Sequence, residues 1–283
     1  MQNVGYYNGK IGPLDEITMP INDRACYFGD GCYDATFVSN GVIFALEEHL
    51  DRFYNSCRLL EIKFHLTREE LTEELYKVVA QTDPGFEGML YWQASRGTAP
   101  RGHAFPPASV KPNLMMFARP FPMDPLDKRL HLISLEDTRF LHCNIKTLNL
   151  LPSVIAYQRA CERGCDEAVL HRGSRVTECA HSNILMIKDG ALWSPPADEL
   201  ILPGITRKHL LELARANGIP TVEQPFSMVE LMNADEVIVS SSGALCSPVD
   251  TIDGIPVGGR DPETLGVLQR AYEHKFKAET NQL

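Results

Sequence analysis

Four groups of residues in this 283-residue chain carry side chains suited to chemistry on a small molecule. The first is Lys146, in Cys143-Asn144-Ile145-Lys146-Thr147-Leu148-Asn149-Leu150-Leu151, after an apolar stretch at 130–141. Ile145 and Leu148 give it a low-dielectric surround, which depresses an ammonium pKa and leaves an amine able to attack a carbonyl and move a proton. The second is Glu178, in Thr177-Glu178-Cys179-Ala180-His181-Ser182-Asn183. There a carboxylate at a strand end can hold a proton on an aromatic nitrogen. The third is an anion cradle. Gly204-Ile205-Thr206-Arg207 runs straight into a helix, so its N–H groups and dipole favour negative charge, and Thr206 adds a hydroxyl. Ser240-Ser241-Ser242-Gly243 offers further donors, and Arg52 a guanidinium fork that matches a phosphate. The fourth is Arg96-Gly97-Thr98-Ala99-Pro100-Arg101-Gly102-His103, where Arg101 and His103, two apart in an extended segment, point the same way and suit a carboxylate.

Each of these has an ordinary reading on its own. Lys146 and Glu178 read as solvated loop residues, Thr206 as a helix cap and the serines as a polar loop. Arg52 reads as a surface charge and 96–103 as a charged surface loop. Their weight lies in occurring together. An amine, a carboxylate and an anion-ready helix start are the parts needed to hold pyridoxal 5′-phosphate, so an enzyme is expected, with no metal site.

The elements that position these residues are legible from periodicity and turn chemistry. Asn8-Gly9 and Asn40-Gly41 are type I′ hairpin signals, the second joining strands at 32–39 and 42–46. Leu50, Phe53, Tyr54, Cys57 and Leu60 recur at helical spacing over 47–60. Thr67-Arg68-Glu69-Glu70 is a capping box before a second helix that ends near Asp83-Pro84-Gly85, and strands follow at 89–95 and 114–118. Arg119-Pro120-Phe121-Pro122-Met123-Asp124-Pro125, with its prolines, reads as an extended linker. The expected domains are therefore a smaller one at 1–118, a linker at 119–126, and a larger one at 127–283 that carries Lys146. In the second, a helix to about Arg163 precedes strands at 167–171, 175–179, 183–187 and 191–194, the last two joined by Asp189-Gly190. A helix at 206–217, a strand at 236–240 and a terminal helix from Pro262 complete it. Strands and helices interleave without a regular βαβ rhythm, so the fold class is α+β, a mixed α/β arrangement in two domains.

Composition bounds the function. The formal charge of −10, from 27 basic and 37 acidic residues with no basic block, disfavours nucleic acid and anionic membranes as partners. No apolar run is long enough to span a bilayer, and the N-terminus lacks the pattern of a signal peptide. The eight cysteines are scattered without a Cys-x-x-Cys pair, as in a reduced cytoplasmic protein.

At this point the motifs match a known family. The chain resembles the fold-type IV pyridoxal-phosphate enzymes, and among them the D-amino-acid aminotransferases. The resemblance runs through Asp23-Arg24, Phe28-Gly29-Asp30-Gly31-x-Tyr33, Glu48-His49-Leu50-Asp51-Arg52 and the 96–103 loop. It continues through Ile145-Lys146-x-Leu148-Asn149-Leu150-Leu151, Thr177-Glu178, Gly204-Ile205-Thr206-Arg207 and Ser247-Pro248-Val249. It implies that Lys146 is the cofactor-bearing lysine and catalytic base and that Glu178 meets the pyridine nitrogen. Arg52, the backbone of Ile205, Thr206, Ser242 and its neighbour Ser241 would hold the phosphate, and Leu202 would pack on the ring. Tyr33, Arg101 and His103 would trap the α-carboxylate, the last two in the site of a second subunit, which implies a homodimer. The implied activity is ping-pong transamination between a D-amino acid, such as D-alanine or D-glutamate, and a 2-oxo acid. An L-branched-chain aminotransferase and an aminodeoxychorismate lyase share the scaffold and are the alternatives. Two departures bear on side-chain preference: Cys179-Ala180-His181 stands where small hydroxyl residues are usual, and Gly243-Ala244-Leu245 is less polar than expected.

Overall fold

The Asn-Gly dipeptides adopt the conformation they favour. Asn8 (φ 46°) and Gly9 (φ 92°) turn β1 (Val4–Tyr7) into β2 (Lys10–Pro13). Asn40 (φ 50°) and Gly41 (φ 73°) turn β3 (Gly31–Ser39) into β4 (Val42–Ile43). Positive φ at both central residues matches the twist of a two-residue hairpin. β4 is shorter than the 42–46 strand expected, because Ala45 takes a left-handed φ of 50° and the chain enters α2 (Leu46–Leu59) at once. Ahead of β3 lies α1 (Arg24–Phe28), capped by the Asp23 carboxylate, which accepts from Ala25 N at 2.9 Å, and ended by Gly29 at φ 58°. α3 (Arg68–Val79) opens on the expected capping box, Glu70 N donating to Thr67 Oγ1 at 3.2 Å and Thr67 N to Glu70 Oε2 at 2.7 Å. It stops at Val79, short of the Asp83-Pro84-Gly85 turn.

β5 (Gly88–Ser95) and β6 (Asn113–Pro120) complete an antiparallel sheet in the order β2-β1-β6-β5-β3-β4. Leu50, Phe53 and Cys57 of α2 pack with Leu90, Trp92 and Met116 in its core. Arg119 and Pro120, expected in the linker, prolong β6 instead. They pair with Met89 and Gly88, while β1 reaches only as far as Ala118, so the missing proline N–H removes no bond from that side.

The second sheet comprises β7 (Leu130–Glu136), β8 (Glu167–Arg172), β9 (Arg175–Cys179), β10 (Asn183–Lys188), β11 (Ala191–Ser194), β12 (Thr221–Glu223), β13 (Glu236–Ser240), β14 (Ser247–Ile252) and β15 (Ile255–Pro256). Its order is β12-β11-β10-β13-β14-β7-β8-β9, with β15 on β14. α4 (Leu151–Glu162) connects the parallel strands β7 and β8. α5 (Ile205–Ala216), α6 (Met228–Met232) and α7 (Pro262–Glu279) follow the later strands. The sheet curls enough that β9, last in the order, comes back beside β10. The fold is thus the α+β arrangement that the order of elements predicts.

The computed structural model describes residues 1–282. Contacts divide it into two units, one of residues 1–122, 145–149 and the C-terminal residues from Lys277, the other of 123–144 and 150–276. This differs from a single cut at the prolines: Lys146 belongs with the first unit. The reason is backbone pairing, since Tyr33 N donates to Lys146 O at 2.9 Å and Leu148 N to Gly31 O at 3.0 Å. Cys32 and Thr147 form an isolated antiparallel bridge between the same segments. No helix of the described residues is long and apolar enough to cross a membrane.

Candidate active site

In the first unit the segment 145–149 lies along β3, and Lys146 N also donates to Ser56 Oγ of α2 at 3.3 Å. Gly31 permits this approach, because a Cβ there would stand 2.4 Å from Ala94 O and 2.7 Å from Leu148 Cδ1. Lys146 is half-buried, and its Nζ lies 4.4 Å from the centre of the Tyr33 ring. No carboxylate of the described residues is within ion-pair distance of it. Tyr33 is itself stacked on Tyr91, with ring centres 5.2 Å apart, and Tyr91 on Phe117 at 4.8 Å, so the tyrosine is fixed by a ladder across three strands.

Arg52 is no surface charge: it is 9% exposed, and its Nε and one terminal nitrogen donate to the two oxygens of Asp34 at 2.9 and 2.7 Å. His49 Nδ1 meets the same carboxylate at 2.8 Å. Burial alone would raise the Asp34 carboxyl, but the Arg52 guanidinium and His49 hold it well below the usual carboxylate range. Burial pushes His49 the other way, below its ordinary value, with the charges of Arg52 and Lys146 adding to that and Asp34 opposing it. A side chain fixed at both ends of a buried fork keeps one orientation.

Arg101 and His103 are exposed and meet on one ring. The Arg101 guanidinium stands 5.2 Å from the centre of Phe28, and the His103 ring 5.3 Å from it. The segment bends at Arg101, His103 and Ala104 rather than running extended, and it is the shared Phe28 ring that brings the two side chains together.

In the second unit Glu178, 6% exposed, is surrounded by donors. Oε1 pairs with Arg139 Nη1, and Oε2 accepts from Asn183 Nδ2 at 2.8 Å and Leu202 N at 3.0 Å. Arg139 is fixed in turn by Asp137, through Nε at 2.9 Å and Nη2 at 2.9 Å. Burial works against the charge on Arg139, but Asp137 and Glu178 keep it above the ordinary arginine value. Asn183 is the hub of this unit. Its amide also donates to Leu202 O at 3.0 Å, its backbone pairs with Ser240, and its Oδ1 lies where a Cβ on Gly204 would come within 1.9 Å. Glu178, Leu202, the start of α5 and the turn that follows β13 thus converge on one residue.

Gly204 caps α5 without a side chain, and Thr206 is 4% exposed. Ser241 and Ser242 are half-buried in a tight turn in which Ser241 Oγ accepts from Gly243 N at 3.3 Å and Ala244 N at 3.1 Å. Ser240 Oγ, 1% exposed, has no partner among the described residues. The structure thus groups Lys146, Tyr33 and Arg52 around β3 of one unit, and Glu178, Leu202 and Gly204 around Asn183 in the other, with Ile205 and Thr206 following Gly204 in the chain and Ser241 and Ser242 following Ser240, the backbone partner of Asn183. Ala180-His181 forms the tip of the β9–β10 turn, closed by Cys179 N donating to Ser182 O at 2.8 Å. His181 Nδ1 lies 2.7 Å from the buried Glu167, so this departure from small hydroxyl residues is a fixed feature of the turn.

Asp34, His49, Arg139, Asp137 and Asn183 were not among the residues singled out from sequence. His49 and Arg52 did carry a signal: they flank Leu50 and Phe53 on the inward face of α2, and polar groups there require a buried partner. Arg139 and Asn183 carried none.

The family model for class IV amino-transferases matches residues 31–252. The D-alanine aminotransferase of Staphylococcus haemolyticus is 41% identical over 258 residues, covering 89% of this chain and 90% of that protein. Among solved structures, the branched-chain amino acid aminotransferase of Escherichia coli superposes with a TM-score of 0.89 at 24% identity, covering 99% of this chain and 96% of the other. The branched-chain amino acid aminotransferase of Thermobaculum terrenum in its PLP form gives 0.83 at 23% identity, covering 100% and 96%.

Proposed function

The chain belongs to the class IV aminotransferases, and on that premise we propose that it moves the amino group of a D-amino acid, D-alanine first among them, to a 2-oxo acid with pyridoxal 5′-phosphate as cofactor. The donor set fits that cofactor. Lys146 offers an amine without a counter-ion and Glu178 a carboxylate aimed by three donors. The side-chain-free cap of α5 and the unpartnered Ser240 hydroxyl offer donors for a phosphate. When bound, pyridoxal phosphate supplies the electron sink that acidifies the α-C–H and the carbonyl that carries the amino group from donor to acceptor.

The protein's own residues do the rest. Lys146 moves the proton at the amino acid's α-carbon. Glu178, held by Arg139, Asn183 Nδ2 and Leu202 N, would keep a proton on the pyridine nitrogen. Arg52, the amide of Ile205, Thr206, Ser241 and Ser242 would hold the phosphate, and Leu202 would pack against the ring. Tyr33, Arg101 and His103 bind the α-carboxylate. Donor and acceptor use one site in turn, so the kinetics are ping-pong.

The observation that carries the D-specific reading is the pairing of Arg101 and His103 on Phe28, a cationic fork and an imidazole displayed together without a carboxylate partner of their own. The names of the D-alanine aminotransferase relatives support it. On this reading the exposed loop serves a second subunit, so the working form is a homodimer. The cysteine usage supports a cytoplasmic setting, and the prolines about 119–126 act as the link between domains. The test is the visible absorbance of the cofactor-loaded protein. D-Alanine alone abolishes the cofactor's long-wavelength band; a band that survives D-alanine but disappears with L-leucine would replace this reading by the branched-chain one.

A further inference from the structure

Arg24 lies outside every role assigned above, yet it is 3% exposed and donates through both Nε and Nη1. Its Nε donates to Asp30 at 2.7 Å, and its Nη1 donates to Gly102 O at 2.7 Å and Ala104 O at 3.3 Å. Those two carbonyls flank His103. A single guanidinium thus grips the loop on both sides of one of the exposed residues and next to the other. Its carbon also stands 4.9 Å from the centre of Phe28, the ring that Arg101 and His103 share.

The rest of the loop is tied to the same mount. Arg24 N donates to Gly97 O at 3.0 Å, Arg96 N to Asp30 O at 2.9 Å, and Ala99 N to Asn22 O at 3.0 Å. Arg96 shares the Asp30 carboxylate at 3.0 Å, donates to Leu60 O and Glu61 O, and covers the Phe105 ring at 3.7 Å. Of the guanidinium groups of Arg24, Arg96 and Arg101, the first two share one carboxylate, Asp30, and only Arg101 is left exposed without an acid partner among the described residues. A segment of glycines, prolines and charged residues has no core of its own to order it, so its shape comes from these contacts.

We infer that Arg24 and Phe28 are positioning residues for the carboxylate trap: Phe28 is the platform on which Arg101 and His103 are aligned, and Arg24 fixes the backbone that carries them. This rests on the reading that Arg101 and His103 bind the substrate's carboxylate. Neither positioning residue touches the substrate. Their effect falls on carboxylate binding, with the cofactor and the proton transfer at Lys146 unaffected.

The test uses the cofactor-loaded enzyme and four variants: Arg24→Met, Phe28→Leu, Phe28→Tyr and, as the reference, Arg101→Ala. In Arg24→Met and Phe28→Leu, KM for D-alanine and the inhibition constant of propionate, a carboxylate without an amino group, rise together by about tenfold or more, as expected for misplaced binding groups. kcat stays within about threefold, and the cofactor's visible band and affinity do not change. Phe28→Tyr, which keeps the ring, restores both constants, whereas a residue needed only for folding would show no such rescue in KM. The phenylalanine pair keeps the test decisive if Arg24→Met does not fold. Unchanged KM in Phe28→Leu, or loss of the cofactor band in place of a KM effect, overturns the inference. If Arg101→Ala itself leaves both constants unchanged, the trap reading falls. If Arg101→Ala raises them and the Arg24 and Phe28 variants do not, only the positioning inference falls.

Discussion

Asp34→Asn is the perturbation that the buried fork makes most informative. The substitution keeps the shape of the side chain and removes the charge that the Arg52 guanidinium, 9% exposed, meets through two nitrogens. Breaking one side of a buried ion pair costs about 3–5 kcal/mol, because the remaining charge stays desolvated. Set against a total stability of about 5–15 kcal/mol, that is a large fraction. The double variant Asp34→Asn/Arg52→Met removes both charges and replaces the guanidinium stem with an apolar side chain of comparable length, so it costs less than the single change. Urea unfolding followed by tryptophan fluorescence measures both. The chain has two tryptophans, and a Trp193→Phe background leaves Trp92, which is fully buried, with its ring 6.3 Å from that of His49, as the reporter of this unit. A loss below about 1 kcal/mol in the single variant, or a double variant less stable than the single, would refute the account of Asp34 as the anchor of Arg52.

Two further outcomes follow from the same geometry. His49 is held below its ordinary value by burial, so the folded protein keeps it neutral while the unfolded chain takes up a proton as pH falls below about 6.5. Stability therefore declines on acidification, by up to about 1.4 kcal/mol per pH unit from this group, and His49→Gln, which can still donate to Asp34, flattens the decline between pH 6.5 and 5.5; identical slopes for the two proteins would contradict it. Gly204→Ala drives a Cβ to within 1.9 Å of Asn183 Oδ1, and Asn183 yields only by releasing Glu178 or Leu202. Titration with pyridoxal phosphate is expected to show affinity weakened by about tenfold or more, and Gly204→Ala/Asn183→Ala is expected to lose no more than Asn183→Ala alone, since residues in contact couple; additive losses would show that the two sites act separately.

What was legible in the sequence follows a physical division. Hairpins, the capping box and the strand ends are set by residues within a few positions of one another, so Asn8-Gly9, Asn40-Gly41 and Thr67-Glu70 could be read directly. The prolines argue against a central strand over 119–125, yet Arg119 and Pro120 end β6, because a strand's neighbours need not run its whole length. Pro120 is tolerated because β1 ends opposite Ala118, a fact of pairing between segments more than a hundred residues apart. The same limit applies to Lys146. Its local sequence shows a lysine between apolar elements, and only the backbone bonds to Gly31 and Tyr33 assign it to the first unit.

The residues that hold the candidate site in shape are harder to read than those that would act in it, and the reason is energetic. A group that reacts has to be of one type, so Lys146 and Glu178 are legible as candidates once an anion-ready helix start occurs in the same chain, although each alone reads as a solvated loop residue. A group that positions has only to satisfy a buried donor or acceptor, and many side chains can do that. Asp34, Asn183 and Arg139 are visible only once their partners are known: Asp34 by the fork of Arg52, Asn183 by the carboxylate of Glu178 and the missing Cβ of Gly204, Arg139 by the pair of acids it bridges. Each nevertheless holds a charge or dipole in a desolvated place, where loss of one partner is costly. Substitutions at these supporting residues should therefore lower stability and cofactor affinity together, whereas Lys146→Ala should remove transamination while leaving the fold intact. Circular dichroism and cofactor titration on the same variants separate the two classes, and an Asn183→Ala protein with wild-type cofactor affinity would remove Asn183 from the first.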